Sequence, residues 1–290
     1  MNSILQRKFE QLYFPKVEKV IKDRISSLIR VIEVRGIDAG RDHLYRQVDS
    51  GGLGKVIEGL YLTVGVRSAK IQWQDLQRQK RLGKKHKETD YLLSTKANGK
   101  RLEESLMQVK GFGFNESWVQ FIKDYLYRFL LEKIVFRVSE STRNALLNVL
   151  SDAVQKGWGI NETVKELEDL PLSKTQAARI VRTEITRAAN TGAMAAGDTF
   201  EFEQNKEWIS ALDRRTRGRD PEDHASHVGL DGQIIPYEEP FTDPRNGDKL
   251  MFPGDPNAMA ESTINCRCSV AIIAKRDLQG RLIPKKNVSV

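Results

Sequence analysis

The run Ile264-Asn265-Cys266-Arg267-Cys268 and the β-prone segment after it, Ser269-Val270-Ala271-Ile272-Ile273, decide the fold of the last third of the chain. A second β-prone run, Glu207-Trp208-Ile209-Ser210-Ala211-Leu212, precedes them, and seven of the nine prolines lie between residues 220 and 290. Short apolar runs separated by proline and glycine are typical of strands joined by turns. The sequence therefore predicts a small irregular α+β domain in this part of the chain.

The preceding two thirds of the chain show a helical pattern. From Ser3 to about Arg35, apolar residues recur at steps of three and four, which predicts an amphipathic helix interrupted near Pro15. Asn161 is expected to cap a short helix that ends before Pro171. The same period predicts four further helices, at 55–79, 116–138, 139–155 and 173–197. The predicted fold class is α+β, with a mainly helical amino-terminal region followed by the small irregular domain.

The composition is that of a folded chain with free thiols. The 290 residues are 39% hydrophobic and 30% charged, a balance that needs no disulfides. Cys266 and Cys268 could close only a strained ring with each other, so a reducing compartment is expected. The first residues turn polar too soon for a signal peptide, and no apolar run approaches the roughly 20 residues of a membrane span. We therefore expect a soluble protein made in the cytoplasm, with no membrane partner.

The net charge of +8 is unevenly distributed. Residues 70–110 hold eleven Lys or Arg against five Asp or Glu, and the tail at 274–290 is also basic. Basic runs give salt-dependent affinity for DNA of any sequence, although a solvated helix face shows the same pattern. We predict nucleic-acid contact for five cations of the basic segment 78–87: Lys80, Arg81, Lys84, Lys85 and Lys87.

Four side chains of types that bind metals lie in the small domain: His224, His227, Cys266 and Cys268. Their spacing resembles a two-histidine, two-cysteine zinc site, and zinc could stabilise a domain rich in loops. Either Asp213 or Asp255 could replace one ligand. The alternative is a pair of packed thiols, with His227 hydrogen-bonded to a neighbouring loop.

The same domain contains side chains that could act as nucleophile or base: Asp213, His227, Asp231, Asp255 and Cys266. They follow no recognised order of a catalytic triad. A zinc deaminase needs His-x-Glu and Pro-Cys-x-x-Cys, and the sequence has neither. The sequence predicts that the protein is not an enzyme.

The predicted helix at 173–197 carries one polar face, because six polar residues recur at steps of three, four and seven: Arg179, Arg182, Thr183, Thr186, Arg187 and Asn190. Glu184 lies off this face and could hydrogen-bond a neighbouring segment. The face could bind phosphate or the carboxylates of a partner. We favour the alternative, in which internal ion pairs join the helix to the small domain.

Residues 134–273 contain seven motifs in sequence: 136–142, 157–160, 178–184 continuing through 190–192, Trp208 with 211–217, His227 with 230–232, 253–256 and 265–268. In this order they resemble the phage head morphogenesis family, the Mu F-like minor head proteins of tailed phages. The residues that match the family pattern are Arg182, Thr183, Glu184, Asp213, His227, Asp231, Gly232, Cys266 and Cys268. An insertion at 218–223 favours His227 over His224 as a ligand.

The resemblance implies a minor head protein of a tailed phage, associated with the portal vertex and active in head assembly and DNA packaging. The implied partners are the portal protein, the major capsid or scaffolding proteins, and packaged double-stranded DNA. The implied location is the virion, in the head interior or at the portal vertex, after assembly in the bacterial host cytoplasm. The alternatives are an enzyme or toxin effector carried in the head, and a stand-alone nonspecific DNA-binding protein.

Four segments are expected along the chain. Residues 1–133 form a helical region with the basic segment, and residues 134–197 form the helical part of the Mu F-like region. Residues 198–273 form its small α+β part, and residues 274–290 form a basic tail.

Overall fold

The computed structural model describes residues 3–46, 52–82 and 115–285. It is 64% helical, and its carboxyl-terminal region has a few short strands, which confirms the predicted α+β class. The longer helices in the described residues are α1 (Ser3–Arg35), α2 (Ile37–Arg46), α3 (Gly52–Leu82), α4 (Glu116–Phe129), α5 (Phe136–Lys156), α6 (Ile160–Asp169) and α7 (Leu172–Asp198). Two single-turn helices follow, α8 (His227–Leu230) and α9 (Ala260–Thr263). No helix within these ranges has the length and apolar character needed to cross a membrane.

Helix α1 continues through Pro15, so the predicted interruption is wrong. Proline removes one backbone donor and favours a kink. Tyr13, Val17 and Ile21 are nevertheless buried at four-residue steps around it. Burial of this apolar stripe stabilises the helical path more than the missing hydrogen bond destabilises it.

A π-helical turn at Leu130–Val135 lies between α4 and α5. The sequence period predicted a helix boundary at residue 138, whereas α5 begins at Phe136. A π-helical turn inserts one residue into the helical ladder without ending it. The apolar period therefore shifts there, and periodicity alone misplaces the boundary.

Gly159 is the N-cap of α6, so the predicted cap at Asn161 is wrong. The backbone N–H of Gly159 donates to Oε2 of Glu162 at 3.0 Å. A carboxylate three residues into a helix commonly returns to the cap in this way. Asn161 consequently lies within the first turn of α6.

The carboxyl-terminal region contains two small antiparallel sheets. The first has the order β2-β1-β5, with β1 (Gln204–Ile209) between β2 (Ile234–Pro236) and β5 (Ser269–Ala274). The second pairs β3 (Phe241–Thr242) with β4 (Lys249–Leu250). The strand predicted at 207–212 begins earlier and ends at Ile209. Leu212 has a φ of 53°, which lies outside the β region and is incompatible with a continued strand.

The described chain forms two compact units. Among the described residues, unit 1 comprises 3–9, 59–82, 115–126 and 182–285, and unit 2 comprises 10–46, 52–58 and 127–181. In unit 2, α5 packs against α2 and α6. In unit 1, Ala69, Trp118, Ala195 and Ala196 form a buried apolar cluster. The division into segments 1–133, 134–197, 198–273 and 274–290 remains a prediction.

Candidate metal centre

Three buried side chains form a group that could hold a metal ion: His227, Cys266 and Cys268. The exposed fractions are 1% for His227, 2% for Cys266 and 4% for Cys268. Nδ1 of His227 lies 3.6 Å from Sγ of Cys266 and 3.5 Å from Sγ of Cys268. All three potential ligand atoms lie within 4.8 Å of one another. Two sulfurs and one imidazole nitrogen therefore face a common point inside unit 1.

The local backbone explains how sulfurs only two residues apart can meet one imidazole. Asn265 has a φ of 57°, so the chain turns sharply just before Cys266. The backbone N–H of Cys268 then donates to Sγ of Cys266 at 3.4 Å, and β5 begins at Ser269. Residues i and i+2 of an extended chain project to the same side. The Cys-x-Cys spacing thus suits this turn into a strand.

The two buried cysteines shift each other's pKa in opposite directions. The hydrogen bond between the two sulfurs raises the pKa of the Cys266 thiol, and burial raises it further. The same hydrogen bond lowers the pKa of Cys268 to about 4, while burial opposes this and the bond to His227 adds to it. Thiolate is the form that binds metals. Cys268 is therefore the sulfur already suited to act as a ligand.

The other predicted ligands do not join this group. His224 is exposed, and Asp213 is exposed and ion-paired with Arg267. Asp255 is buried, and its two oxygens accept backbone N–H groups at 2.8 and 2.9 Å. Within the described residues, the potential ligands are thus one histidine and two cysteines.

Asp231 and Gly232 stabilise the turn that follows α8 through hydrogen bonds to the end of β1. Oδ1 of Asp231 accepts the backbone N–H of Ser210 at 2.7 Å, and Gly232 donates its N–H to the carbonyl of Trp208 at 2.8 Å. The Ser210 hydroxyl donates to the carbonyl of His227 at 2.5 Å. Because Gly232 has a φ of 72°, this position favours glycine. These contacts tie α8, and with it His227, to the end of β1.

The polar face of α7 bonds to the backbone that carries the cysteines. Thr183 accepts the N–H of Asn265 at 3.0 Å, and Thr186 donates to the carbonyl of Cys266 at 2.8 Å. The side-chain amide of Asn190 donates to the carbonyl of Cys268 at 3.2 Å. Within unit 1, these side chains join helix and loop mainly through hydrogen bonds to the backbone. Arg182 of the same helix is exposed.

A buried ion pair lies on α7 beside this face. Nη1 of Arg187 is 2.6 Å from Oε1 of Glu184, and the two side chains are 7% and 3% exposed. The hydroxyl of Tyr61, on α3, donates to Oε2 of Glu184 at 2.9 Å. Nε of Arg187 donates to the carbonyl of Gly254 at 2.5 Å. Each charge is therefore both paired and hydrogen-bonded, as burial requires.

Only part of the basic segment is described. Nζ of Lys80 lies 2.6 Å from Oε1 of Glu201 and 5.3 Å from the centroid of the Phe202 ring. Nε of Arg81 donates to the carbonyl of Gln77 at 3.3 Å. The other three predicted cations, Lys84, Lys85 and Lys87, lie outside the described residues, as do residues 286–290 of the tail. DNA contact through this segment remains a prediction.

Lys206 is a buried residue of β1 that no sequence pattern distinguishes. The residue is 0% exposed, and Nζ has no hydrogen-bond partner among the described residues. Burial lowers the pKa of Lys206 from 10.5 to about 8, against the opposing charges of Glu238, Asp255 and Glu239. Strand alternation places the residue inside, but an unpaired buried lysine contradicts the usual rule.

This pKa predicts how stability depends on pH. Between about pH 8 and 10.5 the unfolded chain keeps the Lys206 proton that the folded chain loses, so folded protein gains stability as pH rises through this window. We expect wild type to gain up to about 3 kcal/mol relative to Lys206→Met across the window. Urea unfolding of both proteins at low ionic strength, from pH 7 to 10.5, measures the difference. If the free energy of unfolding changes equally with pH in both proteins, Lys206 does not have a lowered pKa in the folded state.

Comparison with known proteins adds independent evidence about the family of this chain. Residues 144–271 match the family model described as Phage Mu protein F like protein. The Uncharacterized protein YqbB of Bacillus subtilis (strain 168) is similar, at 24% identity over 163 residues, which cover 56% of this chain and 50% of that protein. The chain thus spans about half the length of this curated relative. No solved structure matches the chain significantly.

The family match extends from α5 to β5, so it contains the group of His227, Cys266 and Cys268, the polar face of α7 and the buried ion pair. It lies within the region 134–273 that the motif order indicated. Residues 144–271 of this chain therefore resemble the Phage Mu protein F like family, which supports assignment of this region to the Mu F-like phage head morphogenesis proteins.

Proposed function

We propose that the chain is a minor head protein of a tailed phage, associated with the portal vertex and active in head assembly and DNA packaging. The observation that carries this proposal is the family match over residues 144–271. The polar atoms of the motif residues also support it, because Thr183, Glu184 and Asp231 are bonded to neighbouring parts of the chain. Polar side chains that bond within the chain in this way are typical of a structural role.

The proposed partners are the portal protein and the major capsid or scaffolding proteins, in the head interior or at the portal vertex of the virion. The basic segment 78–87 is the proposed contact for packaged double-stranded DNA. The net charge of +8 supports a polyanionic partner. Arg81 is exposed, whereas Lys80 would have to exchange Glu201 for a phosphate.

A nonsense mutation in the phage gene tests the proposed role. Without the protein we expect fewer DNA-filled heads, and wild-type protein supplied from a plasmid should restore them. Supplying a variant with alanine at the five basic positions tests the DNA contact separately. Electron microscopy and the DNA content of purified heads provide the readout. A mutant phage with normal numbers of filled heads contradicts the assembly role.

We also propose that the chain is not an enzyme. The carboxylates considered as catalytic groups are engaged elsewhere: Asp213 pairs with Arg267, while Asp231 and Asp255 accept backbone N–H groups. None belongs to the group formed with Cys266 and His227. A nucleophile and base need to lie within hydrogen-bond reach of each other, with a third group to orient the base. An effector function therefore has less support than a structural one.

We propose that His227, Cys266 and Cys268 bind zinc. Zinc–sulfur bonds of about 2.3 Å and zinc–nitrogen bonds of about 2.0 Å, at a tetrahedral angle, separate sulfur from nitrogen by about 3.5 Å. The two sulfur–nitrogen distances in the group are 3.5 and 3.6 Å. A bound zinc would connect α8 to the start of β5. Two thiols hydrogen-bonded to the imidazole have similar spacing, so the ion itself must be measured.

Metal analysis of the purified protein tests the zinc site. By inductively coupled plasma mass spectrometry we expect one zinc per wild-type chain and none in the Cys266→Ser, Cys268→Ser variant. His224→Ala is the matched control and should keep its zinc, because His224 is exposed and outside the group. A folded wild-type protein free of zinc after purification without chelators would leave the cysteines as packing residues.

A further inference from the structure

The inner side of β1 carries polar atoms that have no hydrogen-bond partner in the part of the chain that the structure describes. Gln204, Lys206 and Trp208 are alternate, buried residues of this strand, so their side chains share one side of the sheet. Three atoms are buried with no hydrogen bond to any described residue: Oε1 of Gln204, Nζ of Lys206 and Nε1 of Trp208. Three such atoms in successive inward positions are unusual, because buried polar groups are nearly always satisfied.

Lys206 is the most unusual of the three. Its amine faces aromatic rings, with Nζ 5.5 Å from the centroid of Phe241 and 6.0 Å from that of Tyr237. Among the described residues, Nζ makes neither a hydrogen bond nor a salt bridge. The faces of aromatic rings attract a cation but replace only part of its lost hydration. The amine therefore has the charge and the free donors to bind an anion.

The nearby carboxylates do not supply that anion. Asp255, Glu238 and Glu239 attract the amine at longer range. Both oxygens of Asp255 accept backbone N–H groups, and Glu238 and Glu239 are exposed. A buried charge normally has a partner, and separation from every carboxylate leaves its desolvation uncompensated.

Trp208 provides a second unpartnered donor close by. Its ring lies 5.3 Å from Phe241, centroid to centroid, at an interplanar angle of 77°. Lys206 and Trp208 therefore both lie next to the Phe241 ring. An indole N–H is a donor only, and so is an ammonium group. A ligand for both must be an acceptor, and the charge of Lys206 favours a negative one.

We propose that the Lys206 ammonium and the Trp208 indole N–H bind one small inorganic anion, of chloride or bromide size, inside unit 1. The size follows from burial, because both side chains are 0% exposed. A water molecule could accept the hydrogen bonds but would leave the charge of Lys206 uncompensated. This binding site is independent of the proposed role in phage heads.

Thermal unfolding in different salts tests the proposal. At equal ionic strength, we expect the wild-type Tm to be about 2–4 °C higher in chloride or bromide than in gluconate. Gluconate is too large to enter the buried site at Lys206. Lys206→Met, an unbranched neutral replacement, should show equal Tm values in the three salts. Lys249→Met is the matched control, since Lys249 is exposed in β4 and its loss should leave the halide effect intact. The same halide shift in wild type and Lys206→Met would overturn the proposal.

Crystals of the wild-type protein soaked in bromide give a direct result that does not depend on a variant. An anomalous peak within hydrogen-bond distance of Nζ of Lys206 is expected. Surface peaks without one at Lys206 would overturn the proposal, as would a water molecule in that position.

Discussion

Replacing Gly192 by alanine is expected to destabilise the protein by more than about 3 kcal/mol, or to prevent unit 1 from folding. Gly192 lies on α7, and a Cβ atom there would overlap the backbone carbonyl of Gly65 on α3. A backbone carbonyl cannot turn aside as a flexible side chain can. The two helices would have to separate at this point. The cluster around Ala69 and Ala195 would lose packing as a result.

Urea unfolding followed by circular dichroism measures the effect. Gly54→Ala is the matched control, because Gly54 is also a helical glycine and a Cβ there would meet nothing within 4 Å. Alanine favours a helix over glycine, so this control should change stability by less than about 1 kcal/mol or increase it. If Gly192→Ala is as stable as the control, the result contradicts the close contact between Gly65 of α3 and Gly192 of α7.

The second large effect is expected for Glu184→Ala, at about 3–5 kcal/mol. The variant leaves the buried guanidinium of Arg187 without its carboxylate and removes the acceptor of the Tyr61 hydroxyl. Removing both charges together should cost less, because no unpaired charge then remains. Glu184→Leu combined with Arg187→Met is therefore expected to be more stable than Glu184→Ala.

An exposed ion pair of the same chain provides the control. Nζ of Lys156 lies 2.9 Å from Oδ2 of Asp152 on the surface of α5, and the side chains are 55% and 51% exposed, respectively. Asp152→Ala should change the free energy of unfolding by less than about 1 kcal/mol. Equal effects of Asp152→Ala and Glu184→Ala would mean that the ion pair of α7 is open to water.

The apolar period of the sequence predicted the longer helices well. It failed at helix boundaries that are determined by a single contact. The apolar period identified α1, α3, α5 and α7 because each buries a stripe of side chains. It could not show that packing carries α1 through Pro15, or that Glu162 moves the start of α6 to Gly159. Such boundaries depend on individual hydrogen bonds and on distant neighbours.

The candidate metal-binding group could be predicted in part from the sequence because its residue types are rare in this chain. Cys266 and Cys268 are the two cysteines of the chain, and His227 is one of four histidines. Tyr61 and Lys206 were missed for a different reason. The partner of Tyr61 is 123 residues away, and Lys206 occupies a strand position where sequence alternation alone gives no expectation of a charge. No local signal could have identified either one.

The glycine pair between α3 and α7 was also beyond reach of the sequence. Gly65 and Gly192 lie in different predicted helices. In the sequence, each glycine indicates only a lower helix propensity at its own position. Their importance arises from the contact between the two helices in unit 1. Long-range packing of this kind becomes visible only in three dimensions.

Quantitative mass spectrometry of purified phage heads tests the central claim most directly. The proposal predicts the chain in DNA-filled heads, in far fewer copies than the major capsid protein, and cross-linked to the portal protein. Its absence from purified heads, despite normal amounts in the infected cell, would contradict a role as a minor head protein.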